Sequence, residues 1–114
     1  MRFSFDCVFY YVTDVDRAIQ FYSEVLGMSL TTRDSIARFD IDGILFELVP
    51  APAGEKPTGT GNGRICLKVD DIDKAVRELH ERGVGTGEIE DVGTGMVAFF
   101  DDPDGNEICI WQDR

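Results

Sequence analysis

Histidine is nearly absent from this chain. His80 is the single one; it lies between Leu79 and Glu81, off the apolar stripe of its helix, and reads as a solvated surface residue rather than a ligand. Lysine is scarce as well, three residues against twenty-two carboxylates, and the formal charge is −11. That balance argues against nucleic acid and against anionic membranes as partners. An acidic surface could attract a cationic ligand, but solubility is its ordinary meaning. Long apolar runs are missing too, so no stretch is expected to span a bilayer. The chain opens Met-Arg-Phe-Ser-Phe-Asp-Cys; an acid interrupts the apolar residues and no small-residue cleavage site follows, so a signal peptide is not expected. The three cysteines, Cys7, Cys66 and Cys109, form neither an even set nor a Cys-x-x-Cys pair. They read as reduced thiols of a cytoplasmic protein. With 114 residues there is room for one domain and one shared core, and the apolar surface left over predicts a homo-oligomer.

What the chain does have is an internal repeat. Tyr11-Val12-Thr13-Asp14-Val15-Asp16-Arg17-Ala18-Ile19 is echoed by Lys68-Val69-Asp70-Asp71-Ile72-Asp73-Lys74-Ala75-Val76, an offset of 57 residues, half the chain. Each copy runs from a strand into an aspartate able to cap a helix, then into apolar positions at helical spacing. In the first copy these are Val15, Ala18, Ile19, Tyr22, Val25 and Leu26, ending at Gly27; in the second they are Ile72, Ala75, Val76 and Leu79, ending at Gly83. Behind the first helix, 36–41 and 44–49 flank Asp42-Gly43, a dipeptide suited to a tight hairpin. Behind the second, 96–100 and 107–112 flank Asp101-Asp102-Pro103-Asp104-Gly105-Asn106, again a turn. Shorter strands near 29–33 and 88–91 complete each meander. The fold class is therefore α+β, with modules at 1–49 and 64–114 joined by a Pro-, Gly- and Thr-rich linker at 50–63.

Period-two alternation then assigns faces. Val8, Tyr10 and Val12 cover the first helix, which leaves Cys7, Phe9 and Tyr11 on the opposite, concave side. Ile44, Phe46 and Leu48 go to the helix and leave Leu45, Glu47 and Val49. In the second half Ile65, Leu67 and Val69 leave Arg64, Cys66 and Lys68, while Ile108 and Ile110 leave Glu107, Cys109 and Trp111. Met96 and Phe100 are placed on the concave side with them. All three cysteines fall on one surface.

Four segments in this order carry a family likeness: Asp14-Val15-Asp16-Arg17-Ala18 continuing through Phe21-Tyr22 to Val25-Leu26-Gly27, Leu45-Phe46-Glu47-Leu48-Val49, Val69-Asp70-Asp71-Ile72-Asp73, and Asp102-Pro103-Asp104-Gly105-Asn106. With the half-chain repeat, the sequence resembles the vicinal oxygen chelate family of glyoxalases, bleomycin resistance proteins and extradiol dioxygenases. The resemblance implies two βαβββ modules whose sheets curl around a cavity, commonly shared between modules of two chains in a dimer. It also implies a divalent metal held by four positions, which fall here at Cys7, Glu47, Arg64 and Cys109. Of these only Glu47 keeps the family's residue type.

An arginine has no lone pair to give and adds a fixed positive charge, so the ordinary metal site is not expected and no cofactor is assigned. Arg64 is expected instead to stand where the cation would be, within ion-pair reach of Glu47 of the same or a partner chain. Three thiols with Glu47 could suit a soft metal, yet cysteine is commonly buried as a small hydrophobe. A nucleophilic cysteine has no histidine beside it in the sequence. Phe9, Tyr11, Leu45, Met96, Phe100 and Trp111, with Cys7, Glu47, Arg64, Cys66 and Cys109, are the candidate ligand-binding residues, because apolar walls with a few polar groups make a small-molecule pocket. The same residues could equally be packed interior or dimer contact. The expected function is a metal-free homodimer that sequesters a small organic molecule, drug-like or aromatic, as the bleomycin resistance branch does. An enzyme of lyase or dioxygenase type, with a rearranged metal or cysteine-based site, is the alternative.

Overall fold

A computed structural model describes residues 1–2, 5–53, 55 and 63–114. The chain divides into two compact units, Met1–Pro57 and Thr58–Arg114, and each builds a four-stranded open sheet with one helical segment after its first strand. Most of the linker expected at 50–63 lies outside the described residues. No helix among the described residues is long and apolar enough to cross a membrane.

In the first unit β1 (Val8–Val12) leads into α1 (Val15–Gln20). Then follow β2 (Leu30–Arg33), β3 (Ala37–Ile41) and β4 (Ile44–Pro50), in the sheet order β1-β4-β3-β2. The β1–β4 pair is parallel and the others antiparallel. Asp14 caps α1 by accepting the Arg17 N–H at 3.0 Å, which satisfies one of the amides a helix start leaves without a partner. The helical stripe was expected to run to Leu26, but the α-helix proper ends at Gln20 and continues as a π-helical turn over Phe21–Val25. The cause is local: Ser23 Oγ donates to the Ile19 carbonyl at 2.6 Å, competing for the acceptor that the next turn would use. The chain closes on the wider bond from Leu26 N–H to Phe21 O. Gly27 then takes φ +76°, a left-handed exit that glycine adopts without a Cβ clash.

Tyr22, Phe39 and Phe46 make the core of this unit, all at most 1 % exposed. The Tyr22 and Phe46 rings meet at 5.0 Å and the Phe39 and Phe46 rings at 6.0 Å. Val12, Ala18, Ala37 and Leu48 close it off. Asp42 and Gly43, at φ 56° and 85°, form the two-residue hairpin expected between β3 and β4. Ile44 has the parity of Phe46 and Leu48, as expected, and beside this turn it remains 49 % exposed.

The second unit repeats the plan with β5 (Ile65–Lys68), α2 (Ile72–Glu81), β6 (Glu90–Asp91), β7 (Gly95–Asp101) and β8 (Glu107–Asp113). Its order is β5-β8-β7-β6, with β5 and β8 parallel. Asp71 caps α2 through the Lys74 N–H at 3.1 Å, while Gln112 reaches from β8 to accept the Ile72 N–H at 2.8 Å. One strand side chain therefore ties helix to sheet at the end where amides need partners. The turn between β7 and β8 is organised by Asp102. Its buried carboxylate accepts the backbone N–H groups of Asp104 and Asn106 at 2.9 and 2.8 Å, and the Asn106 amide at 2.8 Å. The Asp-Pro-Asp-Gly-Asn run is thus explained by turn structure alone. Ile72, Leu79, Ala98, Phe100, Ile108 and Ile110 form the core here.

Candidate ligand-binding site

The sheet register decides which side chains share the face that the helices leave uncovered, because residues opposite each other on paired strands point the same way. In the first unit β1 and β4 pair Phe9 with Glu47 and Tyr11 with Val49, while β3 and β4 pair Arg38 with Glu47. Phe46 and Leu48 are buried on the other face, so Phe9, Tyr11, Leu45, Glu47 and Val49 occupy the helix-free face as alternation requires. The Phe9 and Tyr11 rings pack edge to face at 5.3 Å. They are nonetheless 45 % and 44 % exposed. Two aromatic rings held side by side offer a ready apolar wall.

Glu47 is the polar centre of this face. Its side chain is 16 % exposed and accepts from Arg38 Nε at 3.0 Å. Arg38 is positioned in turn by Asp34, 3.0 Å from its other guanidinium nitrogen. Asp34 first, then Glu47, holds the Arg38 guanidinium above its ordinary pKa. On the same side, Cys7 has its pKa pushed up to about 11, by desolvation first and then by a hydrogen bond to the Glu47 carboxylate. Arg38 is not among the residues expected from the sequence, although the signal for it is there. The Asp42-Gly43 hairpin pairs Ile41 with Ile44, and counting back along both strands puts Arg38 opposite Glu47.

In the second unit β5 and β8 pair Cys66 with Cys109 and Lys68 with Trp111. The two sulfurs are 3.0 Å apart; Cys66 is exposed and Cys109 buried, and all three thiols of the chain are free. Burial first, then the hydrogen bond with Cys66, pushes the Cys109 pKa up to about 12. Trp111 donates its indole N–H to Asp113 at 2.7 Å, and Lys68 pairs with the same carboxylate at 2.8 Å. Beneath the indole lies Gly95. A Cβ there would collide with the Trp111 ring and come within 2.5 Å of the Gln112 carbonyl. The ring owes its seat to the missing side chain.

The register corrects two placements. Phe100 pairs with Ile108 and Met96 with Gln112, so both lie on the helix-covered face, where Phe100 is 4 % exposed. The β7 residues that share the face of Cys109 and Trp111 are Phe99 and Val97. Alternation alone cannot choose a strand's parity; the longer turn before β8 hid the register. Arg64, expected as the counter-ion of Glu47, spends its Nε on Glu107 of its own sheet at 2.7 Å. His80 is exposed on α2, 3.1 Å from the Thr86 hydroxyl.

The four positions that would hold the family's divalent ion do not fit one. Glu47 has an oxygen engaged by Arg38, Arg64 offers no lone pair, and the Cys109 sulfur lies 3.0 Å from that of Cys66 within its own sheet. Among the described residues no group of three or more His, Cys, Asp or Glu side chains is arranged to hold a metal.

Comparison with known proteins gives these features a context. The model of the glyoxalase/bleomycin resistance protein/dioxygenase superfamily matches residues 4–110. A lactoylglutathione lyase of Escherichia coli O157:H7 is 30 % identical over 118 residues, 90 % of this chain and 87 % of its own length. A lactoylglutathione lyase of Arabidopsis thaliana is 28 % identical over 86 % of this chain, which spans 40 % of that longer protein. Among solved structures, TnmS3, an antibiotic-binding protein from Streptomyces sp. CB03234, superposes with a TM-score of 0.84 at 28 % identity, covering 100 % of this chain and 99 % of that one.

Proposed function

Because the chain belongs to the glyoxalase/bleomycin resistance protein/dioxygenase superfamily, we propose that it is a metal-free cytoplasmic binding protein, a homodimer that sequesters a small organic molecule, drug-like or aromatic. The observation that carries this reading is the neutralisation of Glu47 by Arg38 within its own sheet. A carboxylate already supplied with a fixed cation has little to offer a divalent ion, and it keeps a polar handle in an otherwise apolar wall. Phe9, Tyr11, Leu45 and Val49 form that wall beside Glu47 in the first module; the second module has a separate apolar face of its own at Val97, Phe99 and Trp111. TnmS3, named for antibiotic binding and alike over its whole length, supports the same reading.

Metal analysis of protein purified without an affinity tag, combined with a thermal-shift screen against antibiotics, aldehyde–thiol adducts and catechols, tests the proposal. Ligand-dependent stabilisation with no stoichiometric divalent ion is the expected result. About one ion per chain, together with turnover of an aldehyde–thiol adduct, would overturn it. The 30 % identity with the Escherichia coli lyase favours a second reading, a lyase with a rearranged site, and that same outcome would establish it.

A further inference from the structure

The Cys66–Cys109 pair, named above among the candidate ligand-binding residues, carries a redox chemistry that binding does not use. Their strands are register partners, and the sulfurs stand 3.0 Å apart, close enough that a small rotation of the side chains brings them to bonding distance. The corresponding register pair between the first and last strands of the first module is Phe9 with Glu47, so the dithiol is particular to the second module. Its two members differ in access: Cys66 is exposed and Cys109 buried. β5 is an edge strand joined to the sheet by four register pairs, so a bond here would fasten that edge and the residues beside it, Arg64 and Lys68, to β8.

We propose that Cys66 and Cys109 are a reversible oxidation site for a hydroperoxide, with Cys66 as the thiol that meets the oxidant and Cys109 as the one that resolves it. The Cys66 thiolate attacks one peroxide oxygen; the O–O bond breaks, and the departing hydroxide takes a proton to leave as water in the case of hydrogen peroxide. Cys66 is then a sulfenic acid. The Cys109 sulfur attacks Cys66 Sγ, the S–O bond breaks, and the leaving hydroxide takes the Cys109 proton as a second water. Two thiols have lost two electrons and the peroxide has gained them. Cys109 is buried, away from the oxidant, and the sulfur within its reach is that of Cys66. With Cys66 exposed, the bond would be open to reductant, as labile disulfides are.

The test treats the full chain with hydrogen peroxide and counts free thiols after denaturation. The expected count falls from three to one, peptide mapping joins Cys66 to Cys109, and dithiothreitol restores the original number. Cys7→Ser should still form the bond, whereas Cys66→Ser, a change at an exposed position, should form none. In Cys109→Ala, dimedone should trap Cys66 as its sulfenic acid. A parent protein that keeps all its thiols, a bond mapped to Cys7, or a Cys66→Ser variant that oxidises as the parent does would overturn the proposal.

Discussion

Replacing Arg38 with methionine keeps most of the aliphatic stem and removes the charge, leaving Glu47 without its ion-pair partner. At 3.0 Å and an effective dielectric constant near 20, two unit charges attract by about 5 kcal/mol. Most of that offsets the desolvation of both groups. The Arg38 and Glu47 side chains are 32 % and 16 % exposed, intermediate between surface pairs, worth about 0–1 kcal/mol, and buried pairs, whose breakage costs about 3–5 kcal/mol. Arg38→Met should therefore destabilise the chain by about 1–2 kcal/mol, or roughly 3–8 °C in Tm for a domain of this size. Glu47→Gln keeps an oxygen to accept from Arg38, whose guanidinium still has Asp34, and should cost only about 0.5 kcal/mol. The double variant should recover part of the loss, with a coupling of about 1 kcal/mol. Urea unfolding of the four proteins measures each term. If Arg38→Met costs no more than Glu47→Gln, or if the two losses simply add, Arg38 is not the cation of Glu47.

Gly95→Ala should push the Trp111 ring from its seat and cost about 1–3 kcal/mol, read as a shift in the emission of this lone tryptophan. The folded thiols of Cys7 and Cys109 have raised pKa values, about 11 and about 12 against 9.0 for the free group. An unfolded chain therefore sheds those protons first, so stability should be level below pH 9 and fall between pH 9 and about 12 in chemical denaturation. Cys7→Ser with Cys109→Ala should flatten that fall. Conversely, Asp34, Asp91 and Asp113 have lowered pKa values; their contribution is present above pH 3.8 and should disappear as acid titrates them. Phe9→Ser with Tyr11→Ser, at exposed positions, should shift the unligated Tm little yet abolish ligand-induced stabilisation. Sedimentation at micromolar concentration should show a dimer, and a monomer would remove that element of the proposed function.

The repeat, the two capping aspartates and the Asp42-Gly43 turn were legible because each is a local signal whose chemistry acts within a few residues. Alternation placed Phe9, Tyr11, Leu45 and Glu47 correctly because β1 and β4 are pure period-two strands. It failed for Met96 and Phe100 since a strand's parity is set by its partner, and that partner lies beyond a turn whose length does not fix the register. The π-helical turn escaped notice for another reason. A serine between the stripe residues Tyr22 and Val25 looks harmless until its hydroxyl is seen to take the Ile19 carbonyl. The Arg38–Glu47 pair could have been read by counting across a hairpin, whereas the contact between Cys66 and Cys109, 43 residues apart, depends on a parallel pairing for which no short turn sets the register.

That parallel pairing also orders events in time. In each module the first strand takes its place against the last one, β1 against β4 and β5 against β8, while β3–β4 and β7–β8 are neighbours in the chain. The hairpins can zip as soon as they exist; the opening strand must wait, because a distant loop has to be closed before its contacts bring any return. During synthesis β5 therefore emerges early and remains an unpaired edge until β8 is made. In that interval Cys66 is a thiol without its strand partner, open to cross-linking with a stranger, and completion of the module is what sets Cys109 opposite it.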